Sequence, residues 1–203
     1  MKTNTELVHH LTSSGVLLSQ NIIDAFLNID RADFIKPSFL YDTYGDYPLQ
    51  IGHGQTNSQP TTVAMMLEML QPQEGDHILD IGSGSGWTTA LLAYIVKKLG
   101  SVTGVERIDE LVRFGLDNLS KYNLTNATII KADDHLGIVS KQFDKILVSA
   151  AAKQFPYELL EQLKPNGKLV IPVQNSIFEV KKDKNADIIY KEHYGFNFVP
   201  LII

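Results

Sequence analysis

The sequence contains no cysteine in its 203 residues. Disulfides, thiolate metal ligands and cysteine nucleophiles are therefore excluded. Nor does any run approach the roughly 20 apolar residues of a membrane span. The opening MKTNTELVHHLTSSG lacks the apolar stretch of a signal peptide. These absences lead us to expect a cytoplasmic protein with no membrane partner. Basic stripes are missing as well, and the net charge is -5. The densest basic run, Lys181, Lys182 and Lys184, is broken by Asp183 and reads as a solvated turn. A nucleic-acid partner is not expected. None of the six histidines falls in a metal-type pattern such as HExxH, and His9 and His10 are adjacent, so they cannot share a helix face. No metal is expected. His53 and His135 are kept open because of their neighbours.

What is present suits an ordinary folded domain. Hydrophobic residues make up 44% and charged residues 20%, which is enough apolar material to bury a core. The length fits one domain, and we expect it to act as a monomer. Up to about residue 47 the chain reads as helices, with Ser19 capping one over residues 20 to 28. Pro60 suits the first turn of a further helix. Val63, Met66, Leu67 and Leu70 form its apolar face.

From residue 77 the rhythm changes to strand, glycine loop, helix, strand, helix, strand, strand, short helix, strand. Such alternation means βαβ units and a parallel sheet: an α/β, doubly wound fold. The tail runs IFEVKKD, DIIYKEH and FNFVPLI have no helix between them, which suggests an antiparallel edge. The parts are residues 1–59 (N-terminal helices and polar loop), 60–175 (the α/β core) and 176–203 (terminal strands), all within one domain.

The first core strand runs into LDIGSGSGW. In an open α/β sheet the ligand lies beyond the carboxyl ends of the strands. Asp80, Gly82, Ser83, Gly84, Ser85 and Gly86 form a tight loop that lets a ligand approach the backbone. The pattern is neither the G-x-G-x-x-G dinucleotide fingerprint nor a Walker loop. Glu106 ends the second strand, 20 positions beyond Gly86, where a carboxylate can accept both hydroxyls of a ribose. After the third strand, Asp133 or Asp134 suits an adenine amino group. Taken together, the acid, the alternating glycines and the terminal Glu resemble the S-adenosylmethionine site of class I methyltransferases.

The stretch GHGQTNSQP, residues 52 to 60, holds no hydrophobic residue. It occurs in order with LDIGSGSG, VERIDELV, SAAAKQFPYELLEQLKPNGKLVIPV and FNFVPL. This set resembles the protein-L-isoaspartate O-methyltransferase family. The resemblance implies a seven-stranded, mostly parallel Rossmann-like sheet with antiparallel C-terminal strands. It implies methyl transfer from S-adenosylmethionine to the free α-carboxyl of L-isoaspartyl residues in damaged proteins, which initiates repair through a succinimide. Arg107 joins the cofactor set through VERIDELV, and Asp133 is favoured over Asp134 for the adenine.

A carboxylate acceptor is already ionised at neutral pH. It needs alignment rather than a strong base, and positioning alone supplies on the order of 7–11 kcal/mol of a barrier. A neutral donor suits this better than a lysine, which would blunt the nucleophile. Ser58 is the best candidate, and the resemblance points to the same serine. Its bland reading is a helix cap or turn. Gln55 and Thr56 shape the substrate loop, the Asn57 amide beside Ser58 is expected to contact the substrate or to change which substrate fits, and the helix start behind Pro60 favours an anion. Ala150 and Ala151 leave room for a peptide and expose backbone to it. By resemblance, Val199, Pro200 and Leu201 form a second wall.

Three positions depart from the family pattern. Asn57 replaces a branched aliphatic residue, Ala132-Asp133-Asp134 replaces G-D-G, and Pro172-Val173-Gln174 replaces P-V-G. They motivate two competing readings: a related methyltransferase with another carboxylate or small-molecule acceptor, and a non-catalytic cofactor-binding module.

Overall fold

The structure is a computed structural model and describes residues 1–202. Its N-terminal part is helical because apolar side chains recur at helical spacing. Helix α1 (Asn4–Ser13) buries Leu7, Val8 and Leu11, and the Thr3 hydroxyl caps it by accepting the Glu6 N–H at 3.2 Å. Helix α2 (Gln20–Asn28) buries Ile22, Ala25 and Phe26. Ser19 stands at its N-cap but caps nothing. Its hydroxyl donates instead to the Glu68 carboxylate at 2.6 Å, which also takes the N–H groups of Leu18 and Ser19. A charged acceptor outcompetes the local bond. Two 3₁₀ turns follow, Arg31–Phe34 and Pro37–Asp42.

The stretch expected as a polar substrate loop forms a hairpin. Strand β1 (Leu49–Gly52) pairs with β2 (Gln55–Asn57) around a two-residue turn. His53 and Gly54 both have positive φ, 56° and 72°, the condition of a type I′ turn that matches strand twist. Helix α3 (Pro60–Leu70) follows, with Val63, Met66, Leu67 and Leu70 all buried.

The core is a seven-stranded sheet. Its strands are β3 (His77–Ile81), β4 (Ser101–Glu106), β5 (Ala127–Lys131), β6 (Phe143–Val148), β7 (Leu163–Val173), β8 (Ser176–Lys182) and β9 (Ile188–Tyr194), in the order β5-β4-β3-β6-β7-β8-β9. Strands β3 to β7 pair in parallel, and β8 and β9 add antiparallel edges. Helices α4 (Trp87–Val96) and α5 (Asp109–Leu119) supply the crossovers β3→β4 and β4→β5. Side chains alternate along the strands. Ile78, Leu147 and Val170 join the core under the helices, whereas Leu79, Ile146 and Leu169 point to the other face. That second face is covered more thinly, by the short α6 (Glu158–Glu161) and by loop segments.

The tail contributes two strands, not three. After β9 the chain turns at Gly195, φ 97°, and FNFVPLI forms no strand. Pro200, which has no N–H to give a ladder, makes one isolated bridge to Ala151. The segment thus returns to the ligand edge of the sheet. Among the described residues, no helix is long and apolar enough to cross a membrane.

Candidate active site

The strand order reverses at β3, with β4 on one side and β6 on the other. A cleft opens beyond their carboxyl ends, as expected for an open α/β sheet. It encloses roughly 1010 Å³ including its mouth.

The glycine loop forms its floor. The Gly82 N–H donates to the Val105 carbonyl at 2.9 Å, and the Gly86 N–H to the Ser83 carbonyl at 2.8 Å. Gly84 has φ +52°, and a Cβ there would stand 3.1 Å from Cδ1 of Ile51 in β1. Only glycine allows both that conformation and the close packing of the hairpin on the loop. Glu106 braces the loop from the side. One carboxylate oxygen accepts the Gly84 N–H at 3.0 Å and the other the Ile108 N–H at 2.9 Å. An ionised carboxylate has about four acceptor sites, so capacity remains for two hydroxyls.

Asp80 lies beneath the cleft and does not line it. Its Oδ2 accepts the hydroxyls of Thr88 and Thr89 at 2.7 Å each, tying down the first turn of α4. Its Oδ1 has no hydrogen-bond partner among the described residues. Burial pushes its pKa up to about 6, against the pull of the two hydroxyl bonds. Among the described residues three more buried polar atoms lack a hydrogen-bond partner: His193 Nε2, away from the cleft, and the Ser83 hydroxyl and the Trp87 indole N–H, whose residues line it. Buried donors without partners are uncommon. Together with the open acceptor sites of Glu106, those of Ser83 and Trp87 fit a polar ligand such as S-adenosylmethionine.

Other expected cofactor residues separate. Ser85 and Arg107 line the cleft, whereas Gly86 lies behind it as the N-cap of α4. Asp133 lines it, and its Oδ1 accepts the His135 N–H at 2.8 Å. Asp134 is exposed and absent from the lining. Of the two carboxylates, only that of Asp133 belongs to a residue that lines the cleft.

Gln55, Thr56, Asn57 and Ser58 all line the cleft. Asn57 was expected to offer an amide to a substrate, but that amide is occupied. It is buried, accepts from Arg31 Nε at 2.9 Å and donates to the Ser85 hydroxyl at 3.1 Å. The Ser58 hydroxyl, half-buried, makes no hydrogen bond among the described residues, while its carbonyl accepts from Arg31 Nη2 at 3.0 Å. Ser58 does not cap α3. Asp46 takes that role from outside, accepting the Thr61 N–H at 2.9 Å and the Thr61 hydroxyl at 2.7 Å. The anion expected at this helix start is thus the protein's own carboxylate.

Arg31 was not foreseen. It is fully buried, and all five of its N–H groups are used, on Asn57 and on the carbonyls of Thr43, Gly45, Tyr47 and Ser58. Its guanidinium lies 5.5 Å from the Trp87 ring centroid. Burial lowers its pKa to about 10, so it stays cationic at neutral pH. Nothing local in RADF marks it, because every partner is distant in sequence.

Ala150 lines the cleft, but Ala151 does not. The backbone expected to be free for a peptide is paired. The Ala151 N–H donates to the Val199 carbonyl and its carbonyl accepts the Leu201 N–H, both at 2.8 Å. Val199, Pro200 and Leu201 line the cleft. Gln174, at φ 53°, occupies the β7–β8 turn and donates to the Lys153 carbonyl at 3.2 Å, outside the lining. His135 lines the cleft, and His53 sits exposed at the hairpin tip. Among the described residues, no cluster of three or more side chains could hold a metal ion.

Comparison with known proteins agrees with this geometry. Residues 2–203 match the family model described as protein-L-isoaspartate(D-aspartate) O-methyltransferase. A Pyrococcus abyssi protein-L-isoaspartate O-methyltransferase is 40% identical over 201 residues, covering 96% of this chain and 92% of its own. One from Fervidobacterium nodosum is 39% identical over 199 residues, covering 96% and 99%. Among solved structures, a protein-L-isoaspartate O-methyltransferase from Plasmodium falciparum, in complex with S-adenosyl-L-homocysteine, superposes with a TM-score of 0.87. It shares 29% identity, and each chain is covered to 98%.

Proposed function

The chain belongs to the protein-L-isoaspartate(D-aspartate) O-methyltransferase family, and on that premise we propose how its cleft performs the reaction. It methylates the free α-carboxyl of L-isoaspartyl residues in proteins and peptides, with S-adenosylmethionine as donor. The ester then closes to a succinimide faster than the free acid does. When bound, the cofactor supplies an electrophilic methyl group on sulfur.

The glycine loop, Glu106 and Asp133 hold the cofactor half. Their support is the open acceptor sites of Glu106 and two unpaired buried donors on residues that line the cleft, Ser83 and Trp87. Ser58 holds the acceptor half. The single observation that carries this assignment is its hydroxyl, which is free on the cleft wall while its backbone is fixed by Arg31. A hydroxyl so placed binds one carboxylate oxygen and leaves the other free to accept the methyl. No proton has to be removed, since the acceptor is ionised at neutral pH. Val199 to Leu201, which line the same cleft, limit water around the carboxylate.

The reading with a different acceptor drew on Asn57 and Gln174. Asn57 is committed to internal bonds and Gln174 lies outside the cleft, so neither favours it. Asp134, the support for a non-catalytic module, faces solvent. We further propose a cytoplasmic monomer that works without nucleic acid or membrane. We treat residues 1–59, 60–175 and 176–203 as one domain, because Phe26, Val63, Ile78 and Ile177 share one core.

The test is methyl transfer from labelled S-adenosylmethionine to matched isoaspartyl and aspartyl peptides, read as base-released methanol. Label on the isoaspartyl peptide alone is expected. Equal labelling of both peptides, or of neither with cofactor binding intact, overturns the proposal.

A further inference from the structure

The two halves of the cleft are joined by one buried polar side chain. The Asn57 amide donates to the Ser85 hydroxyl at 3.1 Å and accepts from Arg31 Nε at 2.9 Å. Ser85 belongs to the glycine loop, and its carbonyl is held in turn by Asn118 Nδ2 at 2.9 Å. Arg31 continues the chain to the Ser58 carbonyl at 3.0 Å. The path therefore runs from the cofactor loop, through Asn57 and Arg31, to the backbone of the acceptor serine. A second contact lies alongside it, where Ile51 of the hairpin packs against Gly84.

An apolar side chain would fill this position without the cost of burying an amide. Asn57 instead spends its oxygen on the hairpin side and its nitrogen on the loop side. The bond to Ser85 does not survive if the loop and the hairpin shift relative to each other, and the bond to Arg31 fixes the amide that makes it. A ligand that fixes the loop therefore also fixes the hairpin. Two sites whose binding orders the same contacts share a coupling free energy, and that coupling is reciprocal.

We propose that Asn57 is a positioning residue that couples the two half-sites, so that cofactor binding raises the affinity for the isoaspartyl carboxylate and the peptide raises the affinity for the cofactor. The proposal rests on the function given above. It assigns Asn57 no contact with the reacting atoms.

The test is calorimetry of S-adenosylhomocysteine binding, with and without saturating isoaspartyl peptide, on the wild type, Asn57→Val and Ser85→Ala. The wild type is expected to bind the cofactor product about tenfold more tightly with peptide present, within the usual range for coupled sites. In Asn57→Val the ratio is expected to fall to less than about twofold, with the peptide KM raised more than kcat is lowered. Ser85→Ala breaks the same link while leaving Arg31 paired with Asn57, so it gives the answer if Asn57→Val fails to fold. A purely structural role would lower the melting temperature and leave the ratio unchanged. A variant that keeps the wild-type ratio overturns the proposal, as does an active wild type with no ratio to lose. A wild type that does not methylate the isoaspartyl peptide at all instead overturns the function on which the proposal rests.

Discussion

Arg31 donates from Nη2 to the carbonyl of Ser58 at 3.0 Å, across 27 positions of sequence. The same guanidinium holds the carbonyls of Thr43, Gly45 and Tyr47. One buried cation thus gathers the whole segment that leads into the cleft. It holds the Ser58 backbone, while the Ser58 hydroxyl makes no hydrogen bond among the described residues.

Replacing Arg31 by Lys is expected to destabilise the fold. An ammonium has three donors at one point and cannot span five acceptors in a plane. At least two buried acceptors lose their partners, at about 1–3 kcal/mol each. Urea denaturation should show a loss of about 2–6 kcal/mol with an unchanged m-value. A loss below 1 kcal/mol would mean that water or neighbouring groups replace the guanidinium.

Asp80 makes stability depend on pH. Burial raises its folded pKa from 3.8 to about 6. A raised carboxyl pKa means that the fold favours the neutral form. Its contribution is complete below about 3.8 and is lost as pH rises through about 6. That interval corresponds to on the order of 3 kcal/mol. Asp80→Asn, which cannot ionise, should lack this component. Melting temperatures of both proteins between pH 3.5 and roughly 7 will show whether the wild type loses more stability across the window. Parallel curves would remove Asp80 as the cause.

Gly84→Ala and Gly15→Ala separate backbone strain from packing. Both positions have positive φ, +52° and +72°, but a Cβ meets Ile51 only at Gly84 and open space at Gly15. Each should lose about 1–2 kcal/mol of stability from the left-handed backbone alone. Only Gly84→Ala should also weaken S-adenosylhomocysteine binding, because the loop must move away from the hairpin. Equal cofactor affinity in the two variants would show that the loop tolerates the displacement.

Much of this was legible in the sequence. The alternation of strands and helices from residue 77 announced the parallel sheet, and LDIGSGSG with Glu106 located the cleft, because these patterns are local. The hairpin at residues 49–57 was not legible. Its turn is His53-Gly54 rather than the Asn-Gly that marks such turns most clearly. The direction of Asn57 was unreadable for another reason. It depends on Arg31 and Ser85, which come from two other segments. Likewise, FNFVPLI has the composition of a strand, yet Gly195 and Pro200 divert it to the cleft.

The central claim is that the Ser58 hydroxyl orients the acceptor carboxylate. The most direct measurement is kcat/KM of Ser58→Ala on an isoaspartyl peptide, with S-adenosylhomocysteine affinity determined on the same protein. A hydrogen bond to a charged group is worth about 1.5–3 kcal/mol. The account therefore predicts a loss of about 10- to 150-fold in kcat/KM with cofactor affinity unchanged. Full activity in Ser58→Ala would contradict it.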